Sequence, residues 1–149
     1  MRVVLQDEAF DVAAEVDAVA REAGVEAGAV AMFLGLVRGG DGLRALTLEH
    51  YPRMTLARLS AIAEEVSARY DLLGCTIIHR VGTLGVGAPI VLVLAAARHR
   101  GASLEAVETM IDWLKTRSPF WKREDYDDGR QVWVEARAAD DAAAARWDL

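Results

Sequence analysis

The chain has 149 residues, 53% of them hydrophobic and 27% charged, with a formal net charge of −6. That length supports one domain with one substantial core, residues 1–149, and the ordinary charged share excludes wholesale disorder or a fibrous repeat. The acidic balance excludes general affinity for nucleic acid or anionic membrane, which need a broad positive field, but leaves room for local basic pockets.

At the N-terminus, MRVVLQDEAF meets Asp7 and Glu8 before a signal-peptide apolar region develops. The longest apolar run, PIVLVLAAA at 89–97, falls far short of the roughly 20 residues of a spanning helix, so a soluble, cytoplasmic protein is expected. In 11–23, Val12, Val16, Val19 and Ala23 share one helical face, and Gly24 supplies a stop. AVAMFLGLV at 29–37 is apolar on both alternating sets, as in a strand buried on both faces, and GGDG at 39–42 ends it. LRALTLEHY at 43–51 resumes as a strand; an antiparallel pair is the simplest connection across so short a gap, although a looser loop has the same sequence signature.

Pro52 breaks that strand, and Leu56, Leu59, Ile62, Ala63, Val66 and Tyr70 then recur at helical spacing. CTIIHRVG at 75–82 and PIVLVLAAA read as two further strands joined by the glycine-bearing TLGVGA. Ser103 can cap a third helix carrying Leu104, Val107, Ile111 and Leu114, which Pro119 ends. RQVWVEAR at 130–137 alternates as a final strand, and DDAAAARW at 140–147 forms a terminal helix anchored by Trp147. The order βαββαββαβα implies an α+β domain, a mixed or antiparallel sheet with flanking helices.

The cations are unevenly spread. KTRSPFWKRE, 115–124, holds Lys115, Arg117, Lys122 and Arg123 against one acid, Glu124, a local charge of +3 in an acidic chain. Lys115 and Arg117 sit where a helix C-terminus favours cations by its dipole alone, but Lys122 and Arg123 come after the proline turn, beside Phe120 and Trp121. A lysine among other cations has its pKa lowered from about 10.4, which makes it a better base or nucleophile. Arg98, His99 and Arg100 stand at a strand-to-helix junction, a geometry that suits an anion and equally a solvated loop. Arg38 closes a strand, where it is either a ligand contact or, the better reading for a lone arginine, a solvated end. Cys75 lies in an apolar run and reads as core, and His79 within its strand as a satisfied core residue. The three histidines and one cysteine show no metal-ligand spacing, and GVGAP precedes a strand where a nucleotide fingerprint would follow one, so neither metal nor cofactor is expected.

FLGLVR (33–38), LTLEHYPRM (46–54), IHRVG (78–82), HR (99–100), LKTRSPFWKRE (114–124) and WVEAR (133–137) together resemble the large, catalytic subunit family of molybdopterin synthase, nearly end to end. The resemblance implies an α/β-hammerhead type α+β fold. It also implies a homodimer of large subunits with a small ubiquitin-like sulfur-carrier subunit at each end, a heterotetramer. The implied reaction is sulfur transfer from a thiocarboxylate on the carrier's C-terminal Gly-Gly to a cyclic pyranopterin monophosphate, forming the molybdopterin dithiolene.

Carried over by position, the implied substrate pocket comprises Leu36, Val37, Arg38, His99, Arg100, Lys115, Lys122, Arg123, Glu124 and Arg137, with Phe33 nearby and the His-Arg pair reaching in from the partner large subunit. Lys115 is the implied principal catalytic group, as acid/base or transient covalent partner, with Lys122 assisting. Two departures from the family pattern stand out: Leu36 occupies a position often polar or basic, and the 39–42 loop is short. The competing readings are a non-catalytic scaffold that binds anion or pterin and docks a ubiquitin-like carrier, and an α+β domain whose cations merely offset its acids.

Overall fold

The computed structural model describes residues 1–135 and 137–148. The chain runs β1 (Arg2–Gln6), α1 (Val12–Ala23), β2 (Ala29–Leu36), β3 (Leu43–His50), α2 (Pro52–Arg69), β4 (Gly74–Arg80), β5 (Gly82–Gly85), β6 (Pro89–Ala97), α3 (Arg100–Arg117), β7 (Phe120–Tyr126), β8 (Gln131–Trp133) and α4 (Ala138–Ala145). The fold is α+β, as the element order implies.

Two four-stranded sheets divide the strands, in the orders β1-β4-β6-β2 and β5-β3-β7-β8. In the first, β1 runs parallel to β4 while β4 and β2 flank β6 antiparallel. Both faces of β4 and β6 are covered, which is why they read as unbroken apolar runs, whereas β2, expected to be buried on both faces, is an edge strand with Val30, Met32, Phe33 and Leu36 exposed. Ile78, Leu92, Leu94 and Ala96 pack with Val19 of α1, while Cys75, Ile77, Val93 and Ala95 face Leu59, Ile62 and Val66 of α2 and Ala106, Met110 and Trp113 of α3. Cys75 is 2% exposed, and burial pushes its thiol up to about 11, so it is the core residue expected. Asp11 caps α1 by accepting from the Ala14 amide, and Gly24, at φ 77°, ends the helix.

Five further expectations need correction. The strands after α1 are not a hairpin: β2 lies in the first sheet and β3 in the second. The Val37 amide donates to the Ala88 carbonyl and the Gly87 amide to that of Val37, so the end of β2 is held by the turn before β6 and not by β3. Gly82–Gly85 is no simple turn but a strand that crosses to pair with β3. The third helix begins at Arg100 with His99 as its cap, because the Ser103 hydroxyl donates back to the Arg100 carbonyl inside the first turn. Residues after Pro119 form β7, whose charged alternation hides the strand period; it pairs with β3 and β8. The final strand is shorter, ending at Trp133, and Ala136 of the expected 130–137 span lies outside the described residues.

Two contacts beside the α3–β7 turn help fasten the second sheet to the rest of the fold, in addition to the apolar cluster of Val37, Leu48 and Leu84 with Ile90. Thr55 Oγ1, fully buried at the start of α2, donates to the Pro119 carbonyl at 3.1 Å. The His79 ring of β4 lies on the Phe120 ring of β7, centroids 3.9 Å apart and planes at 16°. His79 is 7% exposed, and its Nδ1 is 2.8 Å from the Arg80 carbonyl, to which it donates. Trp147 anchors α4, its Nε1 donating to Asp112 Oδ2 at 2.6 Å.

Burial first, then the charges of Lys122 and His50, hold the His79 pKa down from 6.5 to about 4 against the opposing pull of the Arg80 carbonyl. A base whose folded pKa is depressed stabilises the fold fully above its unfolded pKa, because below it the unfolded chain gains the proton first. Stability should therefore fall by about 3 kcal/mol as pH drops from 6.5 to 4. Denaturant titrations across that window should show the slope in the native chain and lose this share of it in His79→Gln; equal slopes would refute the assignment.

Candidate active site

A cavity of about 530 Å³ opens where α3 ends and β7 begins. Three elements build it by their own periodicities. On α3, Ile111, Leu114, Lys115 and Ser118 at its cap fall at i, i+3, i+4 and i+7, one helical face. On β7, Phe120 and Lys122 share the alternate positions that point to the same space. From β2 come Phe33, Leu34, Gly35 and Leu36, where a bulge between Gly35 and Leu36 breaks the register with β6 and re-aims the strand end. A Cβ on Gly35 would lie 2.8 Å from Val91 Cγ1, so only glycine leaves this wall its shape. His79, Ile90 and Val91 complete the lining.

The cavity is thus largely apolar, with two ammonium groups and one imidazole. Neither Lys115 nor Lys122 forms a salt bridge among the described residues, and Lys115 is exposed. The Lys122 pKa is lowered from 10.5, chiefly by burial and next by the charge of Lys115, while Asp140 at the start of α4 pulls the other way. This arrangement can hold an anion between two cations against an apolar wall, and it supplies in Lys122 an amine whose lowered pKa eases the loss of its proton.

The other two cations of the 115–124 stretch are spoken for. Arg117 pairs with Asp148 at 2.5 Å and Glu65 at 3.6 Å, and its guanidinium lies 3.9 Å over the Trp113 ring. Arg123 points to the opposite face of β7 from Lys122, where Nε donates to Asp125 Oδ1 at 2.9 Å while Thr47 holds the other carboxylate oxygen. Glu124 accepts from the Tyr126 hydroxyl at 3.0 Å and does not line the cavity. Arg38 is exposed, two residues beyond Leu36, and Val37 is buried among Leu48 and Leu84; neither is a wall residue. Arg137, exposed, is the cap residue of α4.

His99 and Arg100 are also exposed, but at the far end of α3, about 22 Å from Lys115 along the helix axis. Arg98 is fixed by Glu26 and Asp71 at 2.8 and 3.0 Å. Within one chain, therefore, only Leu36, Lys115 and Lys122 of the expected pocket residues meet, with neighbouring Phe33. Reading the sequence alone overlooks Gly35, Ile90, Val91, Ile111, Leu114, Ser118 and Phe120 as walls, and takes His79 for core. His79 is buried as expected but stands at the open end of its face, a position that strand alternation with Cys75 and Ile77 indicates only once the neighbouring helix is placed.

Comparison with known proteins agrees with this architecture. Residues 5–117 match the MoaE protein family. A Brucella melitensis protein named molybdopterin synthase catalytic subunit is 44% identical over 150 residues, spanning 99% of this chain and 91% of its own. The solved structure of molybdopterin cofactor biosynthesis protein E from Burkholderia multivorans superposes with a TM-score of 0.84 at 44% identity, covering 100% of this chain and 98% of that one. A structure of the complex of subunits 1 and 2 of molybdopterin-converting factor from Helicobacter pylori shares the fold, with a TM-score of 0.74 at 20% identity over 91% of this chain and 90% of that one. The extent of the family match and the near-complete overlap with its relatives place this chain in the MoaE protein family.

Proposed function

We propose that the chain is the catalytic subunit of a molybdopterin synthase, a sulfurtransferase of molybdenum cofactor biosynthesis. Its substrates are a cyclic pyranopterin monophosphate and a small ubiquitin-like carrier with a C-terminal Gly-Gly thiocarboxylate. The observation that carries this reading is the convergence of two unpaired lysines on one apolar cavity in a chain of this family. A phosphate and an incoming carboxyl end are both anionic, so charge-assisted hydrogen bonds are what must hold them side by side. The carrier's thiocarboxylate sulfur bonds to a pterin side-chain carbon as an oxygen substituent leaves it. Water then attacks the acyl carbon and breaks the thioester C–S bond to return the carrier as a carboxylate, and the Lys115 ammonium stabilises the oxyanion that develops. Lys115, exposed to the cavity, is the principal catalytic group, and Lys122, with its lowered pKa, assists as the proton-transferring amine. No sulfur need come from this chain, in keeping with its buried Cys75.

The assembly proposed is a homodimer of this chain with one carrier at each end, a heterotetramer. The Helicobacter pylori relative is itself a two-subunit complex. Support for the homodimer comes from the geometry of β2, an edge strand of its sheet, whose Ala29 end lies beside the 97–99 segment and whose Leu36 end lines the cavity. A second copy laid antiparallel along that edge carries its own His99 and Arg100 to this cavity, which accounts for their distance from Lys115 within one chain. Arg38 and Arg137, both exposed, would act at the mouth after a carrier or partner docks, whereas Arg123 and Glu124 are engaged with Asp125 and Tyr126 away from it. No helix among the described residues is long and apolar enough to cross a membrane, and we assign the reaction to the cytoplasm.

Three outcomes test this reading. Lys115→Ala should lower anaerobic dithiolene formation at least 100-fold with an unchanged thermal midpoint, since the side chain is exposed; retained turnover would sink the assignment. The pH profile of kcat/KM should carry a limb below 10.5 from Lys122, rising as the amine loses its proton, and Lys122→Arg should remove that limb. Co-expressed Lys115→Ala and His99→Ala chains, each inactive alone, should together recover about one quarter of wild-type activity, the statistical share of intact sites in mixed dimers. No recovery despite mixed dimers on native mass spectrometry would mean that His99 does not cross.

A further inference from the structure

His79 has a role that its burial conceals. Its Nδ1 faces a carbonyl oxygen, which can only accept, so the ring proton is on Nδ1 and Nε2 carries a bare lone pair. The stack on Phe120 and the bond to Arg80 together fix the ring in one orientation. Buried polar atoms are ordinarily paired. Nε2 finds no partner among the described residues, yet it is not among the sealed-off, unpaired polar atoms, which are Ser67 Oγ, Trp113 Nε1 and Ser118 Oγ. With the ring 7% exposed and lining the cavity, the remaining outlet for Nε2 is the cavity itself. Ser118 makes a useful contrast: it too lines the cavity, but its hydroxyl oxygen is closed to solvent and cannot greet a guest without movement.

The cavity therefore has two kinds of polar group. Lys115 and Lys122 donate and are suited to anionic groups, whereas a neutral imidazole with its proton turned away can only accept. We infer that His79 is a ligand-binding residue of this cavity, its Nε2 accepting a hydrogen bond from a neutral N–H of the bound guest, of the kind a reduced pterin ring or the last peptide unit of a carrier tail presents. This rests on the synthase reading above. The lysines anchor the charged groups, and the single acceptor sets which way round the neutral part lies. A guest with a carbonyl where the N–H belongs would meet lone pair against lone pair and be rejected.

The test separates acceptor from packing. His79→Phe keeps an aromatic ring on Phe120 and removes the acceptor, and His79→Gln gives up the ring but restores an acceptor oxygen. In steady-state dithiolene formation from thiocarboxylated carrier and cyclic pyranopterin monophosphate at pH 7.5, His79→Phe should raise KM for one of the two substrates about 10- to 100-fold at a wild-type thermal midpoint. His79→Gln should recover most of that loss. Wild-type KM and kcat in His79→Phe would overturn the inference, as would equal losses in both variants, which would mark a packing role. Should His79→Phe fail to fold, imidazole 15N NMR of the wild-type chain decides: the Nε2 resonance should move on adding the pterin or the carrier, and no movement with either overturns the inference. Absence of turnover in the wild-type chain would instead refute the synthase reading, and the NMR titration would still report on His79.

Discussion

The site depends on how the chain leaves α3. A helix repeats its faces every 3.6 residues and a strand every two, so side chains on successive elements converge only if the turn between them has one fixed geometry. Ser118 and Pro119 form that turn here. Proline forbids another helical residue before it, Ser118 adopts extended backbone at ψ 130°, and the buried Thr55 hydroxyl holds the Pro119 carbonyl from a different helix. With the turn pinned, Ile111, Leu114 and Lys115 look into the same space as Phe120 and Lys122. The His79–Phe120 stack then sets how far the second sheet stands from the first. A shift of one residue in β7 would send Lys122 to the opposite face and bring Arg123 in its place.

Arginine and lysine divide the labour within the basic stretch. Arg117 and Arg123 each meet a carboxylate and an aromatic ring, the contacts for which a planar, weakly hydrated guanidinium is suited. Their task is structural: one ties α3 to α2 and to the chain beyond α4, the other braces the outer face of the second sheet. The lysines stay unpaired beside the cavity. An ammonium can shed its proton when burial and a like charge press on it, and a guanidinium in a protein cannot. The stretch that looks like one cluster in the sequence is two structural cations and two available ones.

Much of this was legible in the residues. Burial of the 89–97 strand, the helices, the stop at Gly24 and the anchoring of Trp147 follow from periodicity and composition, whereas the apolar 29–36 run gives no sign that it lies at a sheet edge with Val30, Met32, Phe33 and Leu36 exposed. β7 was not legible, because FWKREDY alternates two charged faces and offers no apolar stripe to mark a strand. The separation of β2 from β3 was hidden for another reason: a five- or six-residue gap with glycines serves a hairpin or a change of sheet equally, and what decides is the distant Ala88 carbonyl that takes the Val37 amide. Pairing of Arg117 depends likewise on Glu65 and Asp148, which local sequence does not bring near, whereas Arg123 pairs with Asp125 two residues on, a contact that becomes visible only once β7 is known to be a strand. The lysine pair was foreseeable from chemistry, the apolar wall of Ile90 and Val91 only from the sheet order.

The pairing of those arginines shapes the protein's field at a distance. Their charges are cancelled close at hand, so a remote anion meets a molecule with net charge −6, and only within a few ångströms of the cavity does it meet bare ammonium groups. Counterions erase the long-range repulsion once the Debye length shrinks to about 8 Å at physiological ionic strength, and leave the near-contact attraction largely intact. Capture of an anionic guest is consequently helped by moderate salt, the reverse of what a basic cluster on a basic surface would show.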